Sequence, residues 1–554
     1  MNNIVFNTEF RDPSIVMKDS RIGAMHQNRI SFVRSIVRKM ANENWKVTTH
    51  SWNMDKDGLG SAVYRIKTEY SVYNFIVFSN QIENSERIDR VIAEKWDVTF
   101  TLTQGDVDDE LLEQMRINVP LQEAGRNNSK TMILSRANKS VRVFDSVIES
   151  LSSGQQPDIS SLLNVGYILR TTAVYGNGKF GIADFDAFMD NPDFKLAFSP
   201  QMCACYLLRQ FSIDWVNYIA KEKSDKAVTL DDDIARFIGT GNATGLGMAP
   251  YLLNHPQIID AWMTAREKCI VAVGKQTMKP QAIKDFHTII QKAIWHLGSV
   301  KTIDENQQRL NEISIEELEG ILKNKDTIEQ GEWRGFINKS EDLSYETQEI
   351  ILSSIIEIYP DLVDGFENEM NAKEKLSLDD GLTIADIKEV IKNRYKWATD
   401  IDFSDEDSQF YFWYRSEVKE EPRIGVRATE EGQEKEMRLD IARQVNTFNL
   451  AIKDADPEMQ LVDFLLNNSK FRVIARRIWT MGSSPMGDIQ MNVLHKDMLP
   501  IDLLRCKLAV FGAAKFDPRS DKWVRVTLFQ GAPLLKDIND EGWLFTLPPK
   551  AVLC

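Results

Sequence analysis

Long apolar runs are missing from this chain. The longer ones, such as Phe75–Phe78 and Leu508–Phe511, have the length of a strand, whereas about 20 apolar residues are needed to span a bilayer. Met1–Phe6 leads directly to Glu9 and Arg11, so no apolar segment follows a basic start as it does in a secretory signal. We therefore expect neither a membrane span nor a targeting segment, and we predict a cytoplasmic protein.

Cysteine and histidine are too few and too scattered to indicate a metal centre. Cys203 and Cys205 are the one close pair among five cysteines, and their spacing is too short for the usual zinc pair. The six histidines form neither an H-x-H nor an H-E-x-x-H pattern. We predict no metal site, and the odd, sparse cysteines indicate free thiols in a reducing compartment.

Signature motifs are also missing. The chain has no G-x-S-x-G elbow and no EF-hand loop. No P-loop is present either, because Ala173 and Phe180 stand where that motif needs a glycine and a Ser/Thr. No cofactor is indicated, and no family signature is present.

Negative charge is concentrated in one region. The net charge of the chain is −15. Residues 301–440 alone carry a net charge of about −18, and the rest of the chain carries about +3. An acidic protein is a poor ligand for nucleic acid and for anionic membranes. We therefore predict no nucleic-acid or membrane partner. The acidic residues form either a solvated helical lobe, which is the favoured interpretation, or a surface that docks a basic partner.

Changes in apolar periodicity predict four regions in a chain of 554 residues. Residues 1–105 are predicted as an α+β domain and residues 106–300 as a helical core domain with two Gly-rich turns. Residues 301–416 are predicted as the acidic helical lobe and residues 417–554 as a C-terminal α+β segment. The predicted fold class is α+β and mostly helical, with a small antiparallel sheet near the N-terminus, a helical middle and a short β-hairpin near the C-terminus.

The same periodicities predict the individual elements. Alternation of β-formers predicts strands at Lys46–Trp52, Ser61–Tyr70, Ser71–Asn80 and Asp97–Thr103. The helical period predicts helices at Arg29–Asn44, Asp108–Arg116, Met132–Leu151, Ile159–Tyr175, Pro200–Glu222, Asp231–Ile238, Met248–Val273 and Pro280–Leu297. Capping boxes are predicted at Thr229–Asp232, Ser314–Glu317 and Thr383–Asp386. The C-terminal hairpin is predicted from strands at Arg505–Phe511 and Lys522–Phe529 around a turn at Asp517–Asp521, and residues 1–28 are predicted as an irregular arm.

Two glycine-rich segments are the best candidates for a binding site. The first is Tyr175–Gly181, in which Gly176, Gly178 and Gly181 fit G-x-G-x-x-G. The segment before it resembles a helix more than the strand that a dinucleotide-binding turn requires, so an ordinary helix-to-helix turn is the competing interpretation. Clustered glycines let backbone N–H groups point at an anion.

Neighbouring side chains favour an anion at this first turn. Arg170 precedes it and Lys179 lies within it, so a guanidinium, an ammonium and the phenol of Tyr175 fall within about ten residues. Such a set suits a carboxylate or a phosphate. We predict that Arg170, Gly176, Asn177 and Gly178 bind substrate; in the competing interpretation the charged side chains are merely solvated.

The second segment, Gly239–Gly247, is predicted as another turn, with Gly239 ending a helix. Its Asn242, Thr244 and Gly245 are predicted to contact the substrate. His255 follows, beside Pro256, which we expect to begin a fresh helix. An imidazole there could transfer a proton, although a structural histidine is the commoner case.

Two basic clusters have different predicted roles. Residues 127–139 are rich in Arg, Lys and Asn and could form a wall for an anion, whereas Lys515–Lys522 is predicted as a solvated turn.

The predicted function is that of a cytoplasmic enzyme acting on a small anionic metabolite held between the two glycine turns. Tyr175, Lys179 and His255 are the predicted catalytic residues. A lyase or transferase without a metal fits this residue set best, and homo-oligomerisation is left open. The alternative is a non-catalytic helical scaffold that uses the acidic lobe for interaction.

Overall fold

The computed structural model describes residues 10–83, 96–118, 131–171, 191–245, 256–323, 331–370, 381–404, 441–487, 500–520 and 523–549. The strands in this part of the chain are β1 Lys46–Met54, β2 Gly60–Lys67, β3 Val72–Ser79, β4 Val98–Gln104, β5 Thr131–Lys139, β6 Tyr167–Thr171, β7 Gly239–Gly245, β8 Ala513–Ser520 and β9 Trp523–Leu528. The helices of its first half are α1 Pro13–Val16, α2 Asp19–Ile22, α3 Phe32–Asn42, α4 Asp109–Asn118, α5 Phe144–Ser152, α6 Ile159–Val165, α7 Ser199–Lys223, α8 Asp232–Phe237 and α9 Pro256–Gly274. Those that follow are α10 Pro280–Ser299, α11 Glu305–Lys323, α12 Trp333–Lys339, α13 Tyr345–Glu357, α14 Pro360–Val363, α15 Ile384–Arg394, α16 Lys396–Thr399, α17 Ile441–Ile452, α18 Leu461–Asn467, α19 Arg472–Gly482 and α20 Pro500–Phe511.

The described strands form one mixed sheet in the order β1-β2-β3-β4-β5-β6-β7-β9-β8. Neighbours are antiparallel except β6 and β7, which are parallel. The predicted fold class is therefore wrong. There is no small N-terminal sheet with a separate C-terminal hairpin, because the middle of the chain supplies three strands that join the two into a mixed α/β layout.

Strands β5 and β6 lie in segments that were predicted to be helical. Met132–Leu151 contains most of β5 followed by α5, and Ile159–Tyr175 contains α6 followed by β6. Gly166 ends α6 in the left-handed region, with φ 75° and its N–H bonded to the carbonyl of Leu162 at 2.7 Å. Glycine adopts this conformation without steric cost. Short apolar runs are compatible with both the helical and the strand period. Here pairing with neighbouring strands stabilises the strand conformation.

The described part of the second glycine-rich segment, Gly239–Gly245, is strand β7 and not a turn. A Cβ at Gly241 would lie 2.2 Å from the ring of Tyr167, and one at Gly239 would lie 2.3 Å from the carbonyl oxygen of Leu528. These glycines therefore allow close approach of the neighbouring strands, and neither adopts positive φ. Gly239 does follow the last residues of α8, directly after the C-cap Ile238, as predicted, but it begins β7 instead of a turn.

Helix α7, which is 25 residues long, packs on the sheet beside β4–β7. Trp215 lies at its centre, fully buried against Phe211 and Phe144 at ring separations of 5.2 and 4.9 Å. The buried Arg209 of the same helix donates to the carbonyls of Ile238 and Pro533 at 2.6 and 2.8 Å. Its charge therefore satisfies carbonyls near the end of α8 and after β9.

The N-terminal segment is partly helical and is bound to the acidic lobe, so the predicted irregular arm is wrong for residues 10–28. Arginines of this segment and of the residues that follow it, up to the end of α3, are largely buried and pair with acids that sequence analysis assigned to a solvated surface. These ion pairs are Arg21–Glu349, Arg29–Asp364, Arg34–Glu357 and Arg38–Glu367. The acidic lobe thus uses several carboxylates internally.

The C-terminal hairpin is present, but its first strand is displaced from the prediction. Arg505–Phe511 lies in helix α20 and not in a strand, and the predicted turn at Asp517–Asp521 includes the end of β8. Gly512, with φ 95°, separates α20 from β8. Glycine adopts positive φ without steric cost. Gly512 therefore allows the chain to turn from the helix into the strand.

A second apolar cluster lies apart in sequence from the main core. It consists of side chains between Leu382 and Met481 from helices α15–α19, whereas the main cluster extends from Val16 to Phe545. The predicted capping box at Thr383 is confirmed, since Thr383 and Asp386 bond each other's backbone N–H at the start of α15. Ser314, by contrast, lies inside α11 and begins no helix.

Candidate functional site

Strands β6 and β7 are parallel neighbours, so their carboxyl ends, Thr171 and Gly245, lie at one edge of the sheet. We call this the β6–β7 edge. In chain order, residues 172–181 follow the first strand and residues 246–247 follow the second. Two strands that are remote in sequence therefore end at the same edge of the sheet. In open α/β sheets, ligands bind in the crevice outside the carboxyl ends of strands.

Arg170 lies next to the end of β6, opposite Asn138 of β5 and Gly241 of β7. It is a half-buried strand residue and does not lie on a helix as predicted. Neighbouring strands are about 4.8 Å apart, so the backbones of Arg170 and Asn242 lie close together. The structure therefore places Arg170 beside the strand that carries the other substrate-binding candidates, Thr244 and Gly245 among them.

Strand β7 extends beyond its pairing with β6. The β6 pairing ends at Gly241, whereas β7 continues to Gly245 and pairs with β9 as far as Trp523. Within the described residues, the side of Asn242–Gly245 that faces β6 has no strand partner. Backbone N–H groups alternate between the two sides of a strand, so some of the N–H groups of Asn242–Gly245 point to this side, and they do so from a strand and not from a turn.

The remaining predicted site residues fall outside the described part of the chain. They are Tyr175, Gly176, Asn177, Gly178, Lys179 and His255. Their predicted roles therefore stay predictions. Pro256 begins α9, in accordance with the expected start of a fresh helix.

Side chains from both basic clusters have structural partners. Arg136 lies over the Trp96 ring at 4.4 Å, and Lys139 lies over the rings of Phe144 and Trp215 at 4.5 and 4.8 Å. Such contacts stabilise the cation against an aromatic face. Contacts with aromatic rings of the same chain therefore account for the positions of these two cationic side chains, and no bound anion is needed.

The second cluster is not the solvated turn that was predicted. Lys515 and Asp517 are buried, and Lys515 donates to the carbonyl of Leu163 at 2.8 Å. Arg525 of the neighbouring strand donates to the carbonyl of Asn164 at 2.7 Å. Both cations thus bond the last carbonyls of α6, where positive charge offsets the helix dipole.

A buried group of titratable side chains that includes two histidines lies elsewhere in the described residues. His26 and Glu346 are joined by a bond of 2.7 Å between Nε2 and Oε1, and Arg505 contacts both, at 2.7 and 2.8 Å. His296 lies near them and bonds the carbonyl of Thr546 through Nδ1 at 2.9 Å. Sequence analysis missed this group, because its members are up to about 480 residues apart and no local pattern connects them.

Burial and charge set the protonation of this group. Burial and the Arg505 guanidinium lower the pKa of His26, and burial lowers that of His296 to about 4. Burial opposes ionisation of Glu346, but Arg505 and His26 outweigh it and hold its pKa below the usual value. Near neutral pH both imidazoles are therefore neutral, and they lie beside the ion pair of Arg505 and Glu346.

The cavity beside this group has a volume of about 30 Å³. That is room for about one water molecule and not for a metabolite. Cys506, next to Arg505 in sequence, is a poor nucleophile, since burial raises the pKa of its thiol to about 12. The group accordingly links the N-terminal segment, the acidic lobe and α20, and we assign it no catalytic role.

Comparison with protein-family models, curated proteins and solved structures finds no match to this chain. In the described part of the chain, no three His, Cys, Asp or Glu side chains are grouped so that they could hold a metal ion. A search of the same residues finds no helix with the length and apolar character needed to cross a membrane. Any functional conclusion therefore depends on the geometry of the chain itself.

Proposed function

We propose that the chain is an enzyme that binds a small anionic metabolite, a carboxylate or a phosphate, at the β6–β7 edge. The observation that carries the proposal is the parallel pairing of β6 and β7, because the strand that precedes the first glycine-rich segment and the strand that contains most of the second therefore end at one edge. Arg170 and the backbone donors of Asn242–Gly245 lie at that edge. A guanidinium with several N–H donors suits an oxyanion.

In this proposal Arg170 and Lys179 hold the anion, and backbone N–H groups stabilise charge that develops during the reaction. Tyr175 or His255 transfers a proton. Chemistry of this kind fits a lyase or a transferase that works without a metal. Four free cysteines in the described residues suit a reducing compartment such as the cytoplasm.

The scaffold alternative has less support. It needs the acidic lobe to offer its charge to a partner, yet Glu346, Glu349 and Glu357 are engaged in ion pairs inside the molecule. Their carboxylates already neutralise arginines of the same chain.

A thermal-shift screen tests the proposal. Phosphorylated and carboxylated metabolites are compared with neutral analogues of the same size, because a ligand of the native state raises the melting temperature. A hit is then titrated against Arg170→Gln and Lys179→Gln, with Lys284→Gln on the exposed face of α10 as the matched control. We expect roughly a tenfold or greater loss of affinity in the first two variants, since charge-assisted bonds contribute about 1.5–3 kcal/mol each.

Two results would contradict the proposal. One is equal stabilisation by anionic compounds and their neutral analogues. The other is a hit whose affinity is the same in Arg170→Gln, in Lys179→Gln and in the control. Turnover of a confirmed ligand, followed by NMR, then decides between a lyase, which forms two products from one, and a transferase.

A further inference from the structure

A cleft of about 890 Å³ lies between the edge strand β1 and the C-terminal half of α7. Its size falls within the range of small-molecule sites, which is about 300–1,000 Å³. We call it the β1–α7 cleft, and its chemically distinctive lining residues are Trp52, Asp214, Tyr218, Lys221, Glu222 and Asp225. Strands β1 and β6 are five positions apart in the sheet, roughly 24 Å at 4.8 Å per strand, so this cleft is separate from the β6–β7 edge.

Two aromatic rings in the lining are held in fixed positions. Trp52 and Tyr218 meet edge to face, with ring centroids 5.5 Å apart and an angle of 61° between the rings. The Tyr218 hydroxyl donates to the carbonyl of Met54 at 2.8 Å, and the indole of Trp52 also packs on Phe211 at 5.9 Å. The cleft therefore offers rigid aromatic surface, which lowers the entropy cost of binding.

The charges around these rings are mainly negative. Asp214, Glu222 and Asp225 face a single cation, Lys221. Asp214 accepts from the Tyr64 hydroxyl at 2.7 Å and from the side-chain amide of Gln210 at 2.9 Å, so its carboxylate is fixed. Glu222 and Asp225 are exposed, and in the described part of the chain neither forms an ion pair.

We propose that the β1–α7 cleft binds an organic cation, an ammonium or guanidinium group on an apolar body. Aromatic faces attract such cations, most strongly the face of tryptophan, and nearby carboxylates add Coulomb attraction. The apolar side chains of Ala227 and Val228 complete the lining and suit the hydrocarbon part of the ligand. Anions are disfavoured by the same charges, which distinguishes this ligand from that of the β6–β7 edge.

Isothermal titration tests the proposal with a pair of probes matched in shape but not in charge, and with two further cations. Choline is compared with 3,3-dimethyl-1-butanol, its neutral isostere, and spermidine is added as a longer cation. A lysine-containing peptide with an acetylated N-terminus tests whether the cation is presented by a partner protein. We expect the cations to bind at least threefold more tightly than the isostere. Tighter binding of choline or spermidine than of the peptide identifies a free small molecule as the ligand, and the reverse order identifies a partner protein.

Variants locate the binding in the cleft. Trp52→Leu is expected to weaken cation binding roughly 2-fold to 30-fold, the range of a cation–π contact. Glu222→Gln, on the exposed rim, should weaken it without disturbing the fold, whereas Glu316→Gln on α11 should leave it unchanged. The proposal is overturned if choline and spermidine bind no better than the isostere, or if Glu222→Gln and Glu316→Gln bind the cations equally well.

Discussion

Neutralising Glu349 should destabilise the protein strongly. Its side chain is completely buried and pairs with Arg266, which is also completely buried, and with Arg21 at 2.9 Å. In Glu349→Gln the amide occupies nearly the same volume, but Arg21 then lies in the interior without this counterion, and Arg266 retains only Glu267, at 3.7 Å, which Arg11 also contacts. Removing one partner of a buried ion pair costs about 3–5 kcal/mol, mostly because the remaining charge is uncompensated. We expect a loss of that size.

Urea unfolding, followed by circular dichroism, measures the loss as the shift in midpoint multiplied by the slope of the transition. Glu319→Gln on α11 is the matched control, because Glu319 pairs with the exposed Lys323 alone. Exposed pairs of this kind contribute about 0–1 kcal/mol. Equal midpoints for Glu349→Gln and Glu319→Gln would refute the reasoning.

The same carboxylate gives the effect a defined pH dependence. Burial opposes ionisation of Glu349, but Arg266, Arg11 and Arg21 outweigh it and hold its pKa below the ordinary value. Its contribution is therefore fully present above the unfolded pKa of about 4.3 and is lost as pH falls through the lower, folded pKa. The difference between wild type and Glu349→Gln should accordingly shrink in acid.

Four further substitutions have outcomes that can be estimated from the structure. Gly241→Ala should lower the free energy of unfolding by about 1–3 kcal/mol, since the new methyl group meets the tyrosine ring that covers this glycine. Gly335→Ala in helix α12, where a Cβ would have nothing within 4 Å, should raise it by about 0.4–1 kcal/mol. Urea unfolding of both variants checks these two values. The folded pKa of His296 is about 4 and its unfolded pKa about 6.5, so wild type should lose roughly 3 kcal/mol as pH falls between these values. In His296→Asn the slope of the unfolding free energy against pH should decrease by the equivalent of as much as one proton per molecule. An unchanged slope would contradict the lowered pKa of His296. Thr383→Ala should cost about 0.5–2 kcal/mol through loss of the capping box, measured against Thr288→Ala on the exposed face of α10, which should be nearly neutral.

Strong local periodicity made part of the fold predictable. Strands β1–β4 alternate β-formers, and α7 opens with Pro200 in its first turn, so both were found from sequence with small errors in their bounds. Strand β7 was not found, because Gly239–Gly245 contains no residue with a strong β preference beyond its threonines. Its strand conformation is imposed by β6 and β9, and a single sequence does not reveal which segments will be neighbours.

The buried ion pairs were unpredictable for a similar reason. Arginine and glutamate are ordinary surface residues, and nothing local marks Arg34 as the partner of Glu357, more than 300 residues away. The role of the candidate site residues stays a prediction. Sequence chemistry selected Arg170 and Asn242, but the parallel pairing that places them side by side belongs to the sheet topology.

Hydrogen exchange with and without ligand tests the central claim most directly. The tightest anionic ligand of the thermal-shift panel is added, and amide protection is compared for residues 172–181, residues 242–247 and helix α10 as a reference. If both segments bond one anion at the β6–β7 edge, exchange should slow in both at once while the reference remains unchanged. Protection of one segment alone, or of neither, would contradict the claim that the two form a single site.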